Sequence, residues 1–285
     1  MTTASLPLEH APPRRLVPRH TALVRLTHWI NVLCLTVLVM TGAQIFNAHP
    51  HLYWGQYGAD FDQPFISIDS LHDRNGWHGR VRVGALSLET TGVLGASRES
   101  GAGALSPRAF PAWLTLPSYQ DLATGRRWHF TFAWLFVANG LVYWLAGFLR
   151  RHFSRDLLPT RAELSPRHLW HEVVEHARLR FPKGEAARRY NVLQKLTYLA
   201  VIFVLLPGVV LTGLTMSPGL DSAFPFLLDL FGGRPSARTI HFICASLLVA
   251  FVVVHVVMVI ASGLWNNLRS MITGRYAIET EENQA

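Results

Sequence analysis

The chain has 285 residues, 50% of them hydrophobic and only 15% charged, with nine Trp and a formal net charge of +8. A soluble chain of this length carries a much larger charged fraction, which excludes an ordinary soluble enzyme of one or two domains. The apolar residues stand in blocks of about twenty rather than at helical spacing, a requirement of the bilayer core and not of a cytoplasmic helix.

In chain order, residues 1–21 read as a cytoplasmic leader, disordered or lying on a surface, with Arg14, Arg15 and Arg19 against Glu9. The first apolar run, Leu26–Phe46, is too long for a cleavable signal peptide and lacks a small-residue cleavage site. The connection 47–127 is long for a helical bundle. It has strand character at Arg80–Leu88, where V-R-V-G-A-L-S-L alternates, then a Gly/Ser-rich stretch at Gly95–Ser106. An apolar segment, Phe110–Leu116, is suited to lie on the outer membrane surface. Outside structure of this size reads as a docking surface.

The second run, Trp128–Leu149, leads into a connection, 150–192, with an amphipathic helix around Ser165–Arg180 near the headgroups. Its His171, Glu172 and His176 are spaced one residue too far for the zinc-protease pattern, so the two imidazoles do not share a face. The third run, Leu193–Leu214, contains Pro207–Gly208, tolerated inside a membrane bundle. The fourth, Thr239–Leu264, precedes a tail, 276–285. Trp29, Trp128, Tyr143, Trp144, Tyr190, Tyr198 and Trp265 cluster near run ends as interfacial anchors do. Cys34 and Cys244 fall within runs as small packing residues. The expected fold is an all-α membrane protein: a four-transmembrane-helix bundle, domain 22–275, with a large extracytoplasmic loop between its first two helices.

Charge sets the expected orientation. The connection 150–192 holds ten basic and five acidic residues, whereas 47–127 holds seven of each. Basic residues concentrate on the cytoplasmic side, so both termini are expected there, in a bacterial inner membrane. The surplus is thus a topology signal and not a nucleic-acid footprint.

An ionisable residue inside a span marks function. His28, His129, His241 and His255 lie within or at the edges of three of the four runs. His241 and His255 are fourteen residues apart, on one face of their helix and separated by about 21 Å of rise. Two depths imply two cofactors, each needing an opposing ligand. The alternating direction of the helices supplies the pairs His28–His255 on the inside and His129–His241 on the outside. Two bis-imidazole sites fit two haem b groups in electron transfer. No C-x-x-C-H occurs, which excludes covalent c-type attachment.

Gly42 and Gly140 lie on nearly the same faces as His28 and His129, and permit close approach of a porphyrin edge. Arg25, Arg126, Arg127 and Arg238 stand within about a turn of a proposed ligand, placed either to pair with propionates or to snorkel to headgroups. Asn191 and Gln194, at the inner end of the third run, either bond a quinone carbonyl or cap the helix.

Particular segments carry a resemblance. Arg25-Leu-Thr-His28-Trp29-Ile-Asn31 resembles the R-x-x-H-W opening of bacterial diheme cytochrome b subunits, including the membrane anchors of nickel–iron hydrogenases and formate dehydrogenase. Gly125-Arg-Arg-Trp-His129-Phe, Tyr190-Asn-Val-Leu-Gln194-Lys-Leu-Thr-Tyr198 and Pro207-Gly-Val-Val-Leu-Thr-Gly213-Leu-Thr-Met-Ser-Pro218 look like the thiosulfate-reductase-type branch. The likeness runs from about residue 20 to 275. It implies two haems on the four span histidines and electron transfer between membrane quinone and a periplasmic molybdopterin oxidoreductase. The chain is then the electron-transfer subunit rather than the substrate-converting one. The alternative is a standalone diheme cytochrome acting on superoxide or ferric chelates, whose small relatives lack the long outer connection.

Overall fold

A computed structural model describes residues 14–58, 62–98, 103–178 and 190–279. Residues 1–13 of the expected leader, 280–285 of the tail, 99–102 of the Gly/Ser-rich stretch and 179–180 of the amphipathic segment lie outside the described residues.

The order begins with strand β1 (Arg14–Pro18) and helix α1 (Ala22–Phe46). Six strands follow: β2 (His51–Leu52), β3 (Ile66–Asp73), β4 (Gly76–Val83), β5 (Leu86–Glu89), β6 (Gly95–Arg98) and β7 (Leu105–Arg108). Then come α2 (Leu122–Leu149), α3 (Pro166–Ala177), α4 (Val192–Ala200) and α5 (Leu206–Thr215). The short α6 (Pro218–Asp221) and α7 (Phe226–Phe231) precede α8 (Arg234–Ala261), α9 (Leu264–Thr273) and β8 (Arg275–Glu279).

Four helices, Ala22–Phe46, Leu122–Leu149, Val192–Thr215 and Arg234–Ala261, are long and apolar enough to cross a membrane. In hydrocarbon every backbone group must be satisfied within the segment, which selects continuous helix. Leu141, Leu145, Val253 and Ile260 stand exposed on these helices, where a soluble protein would bury them. The third helix runs through Pro207 by way of a π turn at Val201–Leu205 that joins α4 to α5. A widened turn is how a helix absorbs the missing N–H and the ring of proline.

The chain is not all-α, and that expectation is corrected by eight strands in three antiparallel sheets among the described residues. A four-stranded sheet has the order β2-β3-β4-β5, and β6 pairs with β7. The alternating stretch Arg80–Leu88 is not one strand. It is the end of β4, a two-residue turn at Gly84–Ala85 and the start of β5, with Val83 opposite Leu86. Gly84 takes φ +56°, the left-handed conformation a tight hairpin needs, so the alternation continues through a reversal of direction. The two sheets touch where β4 and β6 cross. A Cβ on Gly79 would lie 1.8 Å from the Leu94 carbonyl oxygen, an approach open only to glycine.

Two compact units result. One comprises residues 27–144 and 200–251. Its core is Phe46, Leu52, Ile68 and Ala109, with Ile66, Val81, Leu94, Phe110 and Phe242 packed against it. The sheet region is therefore seated on the ends of α1 and α8. Buried Asn139 on α2 donates to the Thr27 carbonyl at 2.9 Å and to Asn31 Oδ1 at 2.8 Å on α1. Trp144 meets Phe203 at 5.4 Å, and a Cβ on Gly208 would lie 3.1 Å from Cys244 Sγ, a tight α5–α8 approach.

The other unit comprises the described residues of 1–26, 145–199 and 252–285. Here β1, part of the expected leader, pairs along its whole length with β8 rather than lying unstructured. Arg19 adds a cation–π contact over Tyr276 at 4.4 Å. Lys195 forms an ion pair with Glu163 at 2.8 Å.

Candidate functional site: a histidine pair between two threonine–glycine steps

His129 and His241 each stand seven residues into a helix of 28 residues, α2 and α8 respectively. Their ring centroids are 6.4 Å apart with planes inclined at 60°. His129 Nδ1 lies 3.0 Å from Thr41 Oγ1 on α1, and His241 Nδ1 lies 3.1 Å from Thr212 Oγ1 on α5. His241 Nδ1 also donates to the Val209 carbonyl at 3.0 Å. Each imidazole therefore has Nδ1 engaged by protein, which leaves Nε2 as the nitrogen able to bind a metal.

Glycine follows each threonine. A Cβ on Gly42 would sit 3.5 Å from His129 Cε1, and one on Gly213 would sit 3.6 Å from His241 Cε1. Gly42 therefore flanks the His129 ring. A Cβ on Gly140 would meet nothing within 4 Å, so this glycine serves no helix–helix contact.

The pair fits an iron porphyrin. Two imidazoles on one first-row metal ion need about 2 Å to each nitrogen and about 1 Å more to each ring centre, roughly 6 Å in all. The 6.4 Å separation matches. A neutral imidazole pair is also the donor set of six-coordinate haem b.

The other expected site residues are distributed as follows. His28 sits half-buried on α1, edge-on to Trp29 at 5.3 Å. His255 sits half-buried on α8 in the other unit. Arg25 donates to the Ile272 carbonyl near the end of α9. Arg126 lies over Phe130 at 5.8 Å, and Arg127 donates to Thr124 Oγ1 at 3.0 Å.

Arg238 donates to the carbonyls of His51 at 3.2 Å and His49 at 2.5 Å and lies over Phe46. It ties the segment after α1 to the start of α8, an attachment reinforced by the Thr239 hydroxyl donating to the Tyr53 carbonyl at 2.7 Å. Asn191 and Gln194 cap α4 reciprocally: Gln194 N–H donates to Asn191 Oδ1 at 2.9 Å and Asn191 N–H to Gln194 Oε1 at 3.3 Å. The Asn191 amide also donates to His176 Nε2 at 2.9 Å.

Thr41, Thr212, Gly213 and Asn139 were missed as individual contributors by sequence reasoning. A threonine–glycine step occurs in two of the four apolar runs, and that repetition was the available signal.

Four membrane-crossing helices with an imidazole pair of haem spacing in their midst define a membrane-embedded cytochrome. Residues 19–274 match the family described as prokaryotic cytochrome b561. The chain belongs to that family of integral membrane proteins, which bind haem b. It is 28% identical over 240 residues to a protein of Azospira oryzae provisionally named protein-methionine-sulfoxide reductase subunit YedZ1, covering 84% of this chain and 89% of the relative. No solved structure matches the chain.

Proposed function

We propose that this protein carries electrons across a bacterial inner membrane between the quinone pool and a periplasmic oxidoreductase. It holds two haem b groups, one between His129 and His241 and one between His28 and His255. The observation that carries this reading is the outer pair, whose 6.4 Å separation and engaged Nδ1 atoms would let His129 and His241 hold one haem between them. When bound, haem b supplies reversible one-electron transfer. The inner pair rests on the sequence: His255 follows His241 by fourteen residues on one helix face, and His28 opens the first apolar run. Haem held by two imidazoles at each site would supply electron transfer, so turnover belongs to the partner.

The relative's name supports a partner that reduces oxidised methionine in proteins, and the resemblance of the sequence supports one of the molybdopterin class. The sheet region packed over the ends of α1 and α8 favours a docking role over direct reaction of an open haem with superoxide. The basic surplus of residues 150–192 supports cytoplasmic termini. Quinone is assigned to the cytoplasmic half. Asn191 and Gln194 are left out of its site because their polar groups satisfy each other and His176.

The test is haem content. Acid acetone should extract two haems per chain from purified protein, none covalent. One haem per chain, or haem that resists extraction, overturns the two-pair scheme.

A further inference from the structure

We propose that Thr41 and Thr212 are positioning residues that tune the orientation and the donor strength of His129 and His241, one device used twice. The inference rests on the haem-holding role proposed above for that pair. Thr41 comes three residues after Leu38 and just before Gly42; Thr212 comes three residues after Val209 and just before Gly213. Each hydroxyl lies close to the carbonyl four residues back, Val37 at 2.7 Å and Gly208 at 2.5 Å. A hydroxyl has one proton, and here it is donated to the helix backbone. What remains for the histidine is a lone pair.

A ring nitrogen facing a lone pair must bring the proton itself. For His241 the Val209 carbonyl, 3.0 Å from the same Nδ1, admits no other assignment. For His129 the partner at Nδ1 is Thr41 Oγ1 at 3.0 Å, whose own proton goes to the Val37 carbonyl. Both histidines are therefore Nδ1–H tautomers with the Nε2 lone pair free for a metal. A ligating imidazole that donates its other N–H to oxygen becomes more basic, and its orientation is fixed. Both threonines are fully buried, so water cannot replace a lost acceptor. The same helix position of the two histidines and the same glycine beside each ring make α1–α2 and α5–α8 two copies of one arrangement.

A more basic imidazole would stabilise the oxidised form of a metal it held, so the hydroxyl should lower the midpoint potential and its removal should raise it. The experiment compares Thr41→Val, Thr212→Val and the two serine variants in purified, haem-loaded protein. Each undergoes an optical redox titration resolving both haems, low-temperature EPR of the oxidised form and a haem count. Each valine variant should raise the midpoint of one haem, leave the other unchanged and alter the low-spin EPR signal of the shifted haem. Serine should restore both values. Loss of that haem with valine and retention with serine also supports the proposal. Wild-type midpoint and EPR in the valine variants overturn it, as does serine behaving like valine. If His129→Ala leaves the haem count unchanged, it is the haem assignment that fails, independently of what the threonine variants do.

Discussion

His129 and His241 face one another across 6.4 Å from different helices, and each is held at Nδ1 by a threonine of a third and fourth helix. Four helices thus converge on one pair of rings, and the pair is the best-defined candidate cofactor site in the molecule.

Replacing His129 with Ala should cut the haem count from two to one per chain. The surviving haem should still be reduced by a quinol analogue, because the pair His28–His255 lies on the proposed quinone side. His28→Ala should leave one haem that quinol reduces poorly. The fourteen residues from His241 to His255 separate the sites by about 21 Å, too far for one haem to serve both. Spectra recorded after quinol addition decide the matter, and two haems persisting in His129→Ala sink the ligand assignment.

Asn191 is assigned to the cap of α4, so Asn191→Ala should lower thermal stability by about 1 kcal/mol, the usual worth of such a residue. The KM for a quinol analogue should stay at the wild-type value. A large rise in KM with unchanged melting temperature would return Asn191 to the quinone site and reverse the assignment made from its bonds to Gln194 and His176.

Glu163 is held down to about 2 from its ordinary 4.5, chiefly by the Lys195 ammonium and then by the Thr160 N–H. A carboxyl depressed on folding adds stability that is fully present above its unfolded pKa and lost as pH falls through its folded one. Wild type should therefore be more stable than Glu163→Gln at pH 6, the gap narrowing as pH falls from 4.5 toward about 2. Melting temperatures in detergent across that range test this, and a gap independent of pH would refute the ion-pair origin.

The spans and their histidines could be read from the chain because the bilayer imposes a local condition. Each crossing needs about twenty apolar residues in succession, and an imidazole among them is visible against that background. The structural helices Ala22–Phe46, Leu122–Leu149, Val192–Thr215 and Arg234–Ala261 begin up to six residues before the apolar runs, because polar first turns remain helical at the interface.

The sheets were legible only as a single alternating stretch. Pairing joins residues distant in sequence, such as His51 with Ser67 and Arg14 with Glu279, and periodicity of one segment contains no information about its partner. The reversal at Gly84 was hidden for the same reason: alternation on either side of a two-residue turn reads as one continuous strand.

What the sequence by itself determined, then, is which residues enter the membrane and which of them are out of place there. Tertiary structure alone decided what those residues meet. Thr41 and Thr212 look locally like ordinary back-bonded helix threonines, and their second contact comes from histidines 88 and 29 residues away. Arg238, one turn before His241, has a guanidinium that holds the carbonyls of His49 and His51, partners its sequence neighbours do not reveal. Hydrophobic partition is a property of each segment, whereas hydrogen-bond pairing is a property of the places to which folding brings two segments.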